Sequence, residues 1–418
     1  MGEKTVAVRL YGKNDLRLES FELSDLKDDE ILAAVVSNSV CMSSHKAMLQ
    51  GAEHKRVPAD IAENPVILGH EMCGEILEAG KKYKDIYKPG MKYTIQPALN
   101  IPGKETIAVG YSFSEIGGNA TKVIVPCEVI ERDCLIPCET DAFYKASLAE
   151  PIACILRALK DQFHYGQNQD EHQMGILEGG NLAILGGAGP MGLAMIDILI
   201  NMDKKPKRIL LTDINRRRLE RAENLFREEK DIELMFVNTG IVSIEDILSK
   251  TDGHGFDDVF IFSPVKELVA QAGSLTAIGG CLNFFAGPAD KNFSAEINFY
   301  DVHYNRHHII GSAGSNAQDL LDAVDMINSN RINPAIMITH VGGLDSAVET
   351  IKNLPKIAGG KKLIYTGISM PLTALDDFEK LGKKNKIFRD LAGIIKQKNG
   401  LWCKEAEDYL LQNAKRIK

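Results

Sequence analysis

The sequence predicts an α/β chain: a β-rich N-terminal region followed by a doubly wound parallel sheet. Three observations carry this. Short apolar runs broken by Gly, Pro, Asn and Asp fill the chain up to about residue 150, strand-like and helix-like segments alternate from residue 181, and a glycine-rich turn joins the first strand of that alternation to its helix. The 418 residues, at roughly 150 per domain, leave room for two or three domains. Contents of 44% hydrophobic and 25% charged residues are those of an ordinary globular chain.

The elements read as follows. VAVRLY, ILAAVVSNSV, PVILGHEM and TKVIVP are strand-like, and GKND, KPG, NIPGK and IGGN separate them. Helical periodicity first appears near Tyr144, in AFYKASLAEPIACILRALKD. NLAILGG then reads as a strand, PMGLAMIDILINM as a helix, RILLTD as a strand and NRRRLERAENLFREE as a charged helix. ELMFV, SIEDILSK, FDDVFIF and PVKELVAQA repeat the alternation, and GGCLNFFAG and HHIIGSAG add strands, the βαβ pattern of a parallel sheet. SNAQDLLDAVDMINSN and DSAVETIKNL are amphipathic helices, KKLIYTG a closing strand, and the last fifty or so residues a Lys-rich helical segment.

Charge and cysteine content narrow the function. A net charge of −8 argues against broad nucleic-acid or anionic-membrane binding, although it is silent about a single pocket. The charged N-terminus lacks the apolar core of a secretory signal. The longest apolar stretch, near Gly186 to Ile200, is too short and too broken by Gly, Pro190 and Asp197 to span a bilayer. Eight Cys in a chain of this length are too sparse for a disulfide scaffold. The expected compartment is the cytoplasm.

Gly187-Ala188-Gly189-Pro190-Met191-Gly192 fits G-x-G-x-x-G. Following a strand and opening a helix, it has the context of a Rossmann dinucleotide site: the glycines allow a tight turn and close approach of pyrophosphate, and the helix N-terminus supplies free N–H groups. Asp213 ends the next strand, where a carboxylate accepts the ribose hydroxyls of NAD and repels a 2′-phosphate. Arg216, Arg217 and Arg218 are read as a solvated helix face, with Arg218 a candidate to accommodate NADP(H). The expected cofactor is NAD(H).

Cys41, His70, Glu71 and Glu150 are candidate metal ligands, since thiolate, imidazole and carboxylate all suit Zn²⁺. No short spacing links them, so the residues alone leave core Cys and solvated Glu as the alternative. His70 and Glu71 are neighbours, and neighbours on a regular strand point to opposite faces, so they share one ion only if the chain turns there.

Gly69-His70-Glu71-x-x-Gly74, with Cys41 upstream and the glycine motif downstream, resembles the zinc-dependent medium-chain alcohol and polyol dehydrogenases. Pro89-Gly90, Gly117-Gly118-x-Ala120 before VIVP, Glu150-Pro151-x-Ala153-Cys154 and KKLIY extend the likeness from Val6 to about Gly367. The resemblance implies a GroES-like catalytic domain over 1–160, a Rossmann domain over 161–305, a return segment over 306–367 completing the first domain, and a helical extension over 368–418. It implies one catalytic zinc on Cys41 and His70, with Glu71 and Glu150 as the remaining candidates, and a homodimer or homotetramer. Ser43 stands where the family has the hydroxyl that passes the substrate proton. The family's Asp and His that follow are Ser44 and Lys46 here, so the route beyond Ser43 departs from the pattern. No Cys lies between Gln96 and Pro126, and the irregularly spaced Cys127, Cys134 and Cys138 are no substitute, so no four-Cys structural zinc is expected.

The implied chemistry is hydride transfer between nicotinamide and a small alcohol or carbonyl compound held at the zinc, in the cleft between the domains. Ser44, His45 and Lys46 beside Cys41, and Arg306 with His303, His307 and His308, are candidates for an anion pocket suited to phosphate. The length and the CMSSHK variant are most similar to bacterial sugar-phosphate reductases of the sorbose-1-phosphate type, which implies interconversion of L-sorbose 1-phosphate and D-glucitol 6-phosphate or a similar pair. The alternatives are a dehydrogenase of free polyols or simple alcohols, a zinc-independent enoyl or quinone reductase, and a zinc-free nucleotide-binding protein.

Overall fold

The computed structural model describes residues 3–166 and 171–418. Two units fold from the chain: Met1–Pro151, Ser315–Asn330 and Ile338–Lys418 form the first, Ile152–Gly314 and Arg331–Met337 the second. The first crossing thus falls within the helix Ala149–Asp161, after Pro151 rather than after the expected 160. The second lies beyond 305, because His308–Gly311 still pairs in the sheet of the second unit.

The first unit is built around the strand Ile31–Ser39. It pairs antiparallel with Glu71–Ala79, with Lys122–Val125 and, from the far end of the sequence, with Lys361–Tyr365. Its aliphatic half is buried on both faces, which suits the β-branched and small residues there. Ile31, Ala33 and Val35 pack with Met72, Ile76, Tyr93 and Val123. A second core joins Val8, Leu10, Met48, Leu68 and Tyr111 to Leu344, Ile351 and Ile364 of the return segment. Where Ile31–Ser39 ends, the buried residues become polar: Ser37, Asn38 and Ser39, with Glu71 and Lys361 on neighbouring strands. A polar cluster inside a core costs free energy unless it is paired, which marks this end of the sheet as the place of function.

The C-terminal segment is an added packing layer on this unit. Its helices Phe378–Gly382, Lys386–Lys396 and Lys404–Asn413 bury Phe378, Phe388, Leu391 and Leu410. The carboxylate of Glu407 accepts from the backbone N–H groups of Phe143 and Tyr144 at 2.6 and 2.8 Å and from the Tyr365 hydroxyl at 2.8 Å. Trp402 donates its indole N–H to the same Tyr365 oxygen at 2.7 Å. Glu407 therefore caps the helix Phe143–Ser147, which has no side-chain cap at Ala142, and holds the strand that begins at Lys361.

In the second unit six parallel strands, Asn181–Leu185, Arg208–Asp213, Glu233–Asn238, Phe256–Ile261, Thr276–Phe284 and His308–Gly311, lie side by side in the order third, second, first, fourth, fifth, sixth. This is the doubly wound Rossmann order, with its switch point between the first and fourth strands. Asn181–Leu185 is buried along its length, as expected for a central parallel strand. Among the described residues no helix is long and apolar enough to cross a membrane.

Candidate metal and dinucleotide sites

Cys41 is the extended N-cap residue of the helix Met42–Gln50, just past the end of Ile31–Ser39. Glu71 opens its strand opposite Ser39. His70 is not in that strand. Gly69 before it has φ +106°, a conformation that only glycine adopts without strain, and a Cβ there would meet backbone and side-chain atoms of Asn119 at 2.8–3.0 Å. The alternation of neighbouring side chains therefore does not apply. The chain turns, and the ligand atoms of Cys41, His70 and Glu71 all lie within 4.8 Å of one another.

Glu150, the fourth candidate, is outside this group of three. It is buried, and its charge is felt at His70. Burial pushes its carboxyl up to about 7; the nearby Glu71 and Cys41 push the same way, and His70 opposes them. The Cys41 thiol is raised by burial and by the Glu71 carboxylate, and the His70 imidazole is lowered by burial. Lys361 is ion-paired to Glu71 Oε1 in the interior, and the surrounding anionic groups overcome the effect of burial to hold its ammonium charged.

These residues suit a zinc ion. His70 Nδ1 and Glu71 Oε2 are both buried without a hydrogen-bond partner, a costly state for a polar core. A borderline-soft cation gives thiol, imidazole and carboxylate one common partner. Three protein donors are also the number that leaves an open position in a catalytic zinc site.

Around the cluster lies a layer of polar groups. Ser43 Oγ is 3.4 Å from His70 Nε2 and accepts from the Tyr111 hydroxyl at 2.6 Å. The Tyr111 ring stacks on the His70 ring at 5.0 Å and on the His54 ring at 5.5 Å, and the Arg56 guanidinium carbon is 5.4 Å from its centre. Burial holds the Tyr111 hydroxyl well above its ordinary range, so it remains a donor.

The proposed anion-pocket residues divide. Ser44 and His45 are buried in the helix after Cys41, and His45 Nδ1 is hydrogen-bonded to the carbonyl of Ile351 at 2.7 Å, which gives that side chain a packing partner. Lys46 is half-buried and close enough to Cys41 to feel its charge. Arg306 belongs to the second unit, with φ +54° and its guanidinium 5.8 Å from the Tyr165 ring.

The glycine motif of the second unit has the geometry that its pattern implies. Gly189 is the N-cap of Pro190–Asn201, Pro190 fills the first helical position and Met191 follows it, while a Cβ on Gly189 would meet nothing within 4 Å, leaving the backbone open to a ligand. Gly187 donates its N–H to Thr212 at 2.9 Å. Gly192 is required for packing: a Cβ there would lie 1.9 Å from the Gly187 oxygen. Asp213 Oδ1 accepts from the Asn215 N–H at 2.9 Å, and Arg218 Nη1 is 4.0 Å from Oδ2.

Sequence reasoning missed two residues of the first site. Lys361 belongs to KKLIY, noted only as part of a resemblance, and its buried position depends on strand pairing with residues more than three hundred positions earlier. Tyr111 lies in a loop read only for its lack of cysteine, and nothing local to it points at Ser43.

Comparison with known proteins agrees with this arrangement. Residues 27–132 match the family model described as the alcohol dehydrogenase GroES-like domain. The chain is 44% identical to the L-sorbose 1-phosphate reductase of Klebsiella pneumoniae, covering 99% of each protein, and 44% identical to the mannitol-1-phosphate 5-dehydrogenase of Aliivibrio fischeri, covering 98% of each. The crystal structure of 2R,3R-butanediol dehydrogenase from Bacillus subtilis superposes with a TM-score of 0.71 at 21% identity, over 87% of this chain and 99% of that one, a likeness of fold. With full-length relatives at this identity, the GroES-like match and the Rossmann sheet, the chain belongs to the zinc-dependent medium-chain alcohol and polyol dehydrogenase family.

Proposed function

We propose that this protein is a zinc-dependent oxidoreductase that moves hydride between NAD(H) and a phosphorylated polyol or ketose, of the L-sorbose 1-phosphate and D-glucitol 6-phosphate type. The observation that carries the chemistry is the convergence of Cys41, His70 and Glu71 within 4.8 Å. The substrate class is supported by the full-length likeness to two proteins named for sugar phosphates.

Zinc held by Cys41, His70 and Glu71 supplies Lewis acidity, which favours the ionised form of an alcohol and polarises a carbonyl. The other tasks fall to the protein. Tyr111 stays protonated and donates to Ser43, which leaves the Ser43 hydrogen for the reacting oxygen. In ketone reduction Ser43 relays a proton, giving its own to that oxygen and regaining one from solvent; in alcohol oxidation the relay runs the other way. Glu150 is a further buried carboxyl close enough to His70 for its charge to be felt there. Lys361, ion-paired to Glu71 Oε1, fixes the direction of that carboxylate. On the second unit, Gly187, Gly189 and Gly192 with Pro190 and Met191 receive the pyrophosphate, and the carboxylate of Asp213 takes the ribose hydroxyls. Arg218, at 4.0 Å from that oxygen, softens the bias, so NADP(H) is accepted less well than NAD(H) rather than refused.

Homodimer or homotetramer is the proposed assembly and the cytoplasm the proposed compartment, in keeping with eight cysteines of which none is in a disulfide among the described residues. The test is a kinetic panel of glucitol 6-phosphate against free glucitol, with NAD and NADP, before and after zinc removal by phenanthroline. Preference for the phosphate ester and for NAD is expected, with activity lost on verified zinc removal and restored by zinc. Equal efficiency with free glucitol would favour a dehydrogenase of free polyols. Activity that survives zinc removal would end the metal mechanism.

A further inference from the structure

Beside the metal cluster is a group of basic side chains that the chemistry above leaves unused. We propose that Arg56, assisted by Lys46 and His54, forms the subsite for the substrate's phosphate dianion. The inference rests on the phosphorylated-substrate reading and assigns the residues that would enforce it.

The Arg56 guanidinium lies over the ring of Tyr111, the same ring that stacks on His70 and whose hydroxyl bonds Ser43. A group bound at Arg56 is therefore one aromatic ring away from the reacting oxygen. His54, on the same ring, is pushed down to about 4 by burial and by the charges of Arg56, Lys55 and Lys46. His54 is thus a neutral hydrogen-bonding group in a positive surrounding.

The charge has no local counterpart. Among the described residues Arg56 and Lys55 make no ion pair. None of the acids on the same loop pairs with it: Glu53 faces Lys13 at 3.8 Å, Asp60 accepts from Asn64 at 2.8 Å, and Glu63 is exposed. A half-buried guanidinium without a carboxylate is an unfavourable arrangement that an anionic ligand would relieve.

The loop is also held in place. Val57 and Ile61 are buried in the core beneath it, the Ser112 hydroxyl donates to the Arg56 carbonyl at 2.6 Å, and the Arg56 N–H donates to His54 Nδ1 at 3.3 Å. A planar guanidinium on an anchored backbone suits two oxygens of a phosphomonoester, and Lys46 adds charge from the helix that follows Cys41.

The test measures kcat/KM of the zinc-loaded enzyme for glucitol 6-phosphate and for glucitol, in wild type, Arg56→Gln and Arg56→Lys, with inorganic phosphate as inhibitor. Loss of a charge-assisted phosphate contact should lower the ester-to-free ratio in Arg56→Gln by about ten- to a hundredfold and weaken phosphate inhibition to match. Arg56→Lys should recover part of both. A wild type that prefers the ester, with an unchanged ratio in Arg56→Gln and the zinc content and unfolding of that variant also unchanged, overturns the subsite and leaves the function standing. A wild type indifferent to phosphorylation overturns the functional reading itself.

Discussion

Glu407→Ala should destabilise the first unit strongly, although residue 407 is far along the chain from any ligand. The substitution strands three buried donors: the N–H groups of Phe143 and Tyr144 and the hydroxyl of Tyr365. At about 2 kcal/mol each, within the usual 1–3 kcal/mol for a buried unsatisfied group, the loss is about 6 kcal/mol. Against this stands the cost of the buried charge. Burial pushes the Glu407 carboxyl from 4.5 up to about 6, so keeping it ionised at neutral pH costs about 2 kcal/mol. The net loss at pH 7 is about 4 kcal/mol. A carboxyl raised in the folded state binds its proton more tightly there than in the unfolded chain, so its contribution to stability is greatest below 4.5 and declines as pH rises through about 6. The gap between wild type and variant should therefore widen by about 2 kcal/mol between pH 7 and pH 4.5. Trp402 is the single tryptophan, is buried and bonds the same Tyr365 oxygen, so its fluorescence reports this joint directly in a urea titration. A loss below about 1 kcal/mol, or a gap that narrows in acid, would refute the assignment of Glu407 as the anchor of the C-terminal layer.

Two further substitutions probe the two sites. Tyr111→Phe keeps the ring stacked on His70 and removes the donor to Ser43, so kcat should fall roughly fivefold with zinc content unchanged; an unaltered kcat would remove Tyr111 from the proton pathway. Gly192→Ala places a methyl carbon 1.9 Å from the Gly187 oxygen, and the forced separation of helix and turn should cost about 1–3 kcal/mol and weaken NADH binding in calorimetry. Binding within twofold of wild type would show that the turn can yield.

Much of the second unit was legible locally. A parallel strand, a glycine turn and a helix are written in consecutive residues, and the acid at Asp213 ends the next strand, so period and motif were enough to place those elements and to mark the turn as a candidate dinucleotide site. The boundaries were less legible. A sixth strand, His308–Gly311, follows the short helix Phe299–Tyr304 at the sheet's edge, and its membership is decided by pairing with Thr276–Phe284.

The metal site lay between these cases. The residue types Cys41, His70, Glu71 and Glu150 were visible in the sequence. Which of them meet was not, because strand alternation argued against neighbouring ligands until the turn at Gly69 put His70 outside the strand. By itself the sequence determined the residues whose chemistry is local: the thiol, the imidazole, the carboxylates and the glycine turn. Only the tertiary structure decided their company, with Lys361 set behind Glu71, Tyr111 behind Ser43, Arg56 over Tyr111 and Glu407 beneath the strand of Lys361. The physical reason is that helical and strand periods are fixed by neighbours a few residues apart, whereas a buried charge finds its partner through sheet pairing and packing across hundreds of residues.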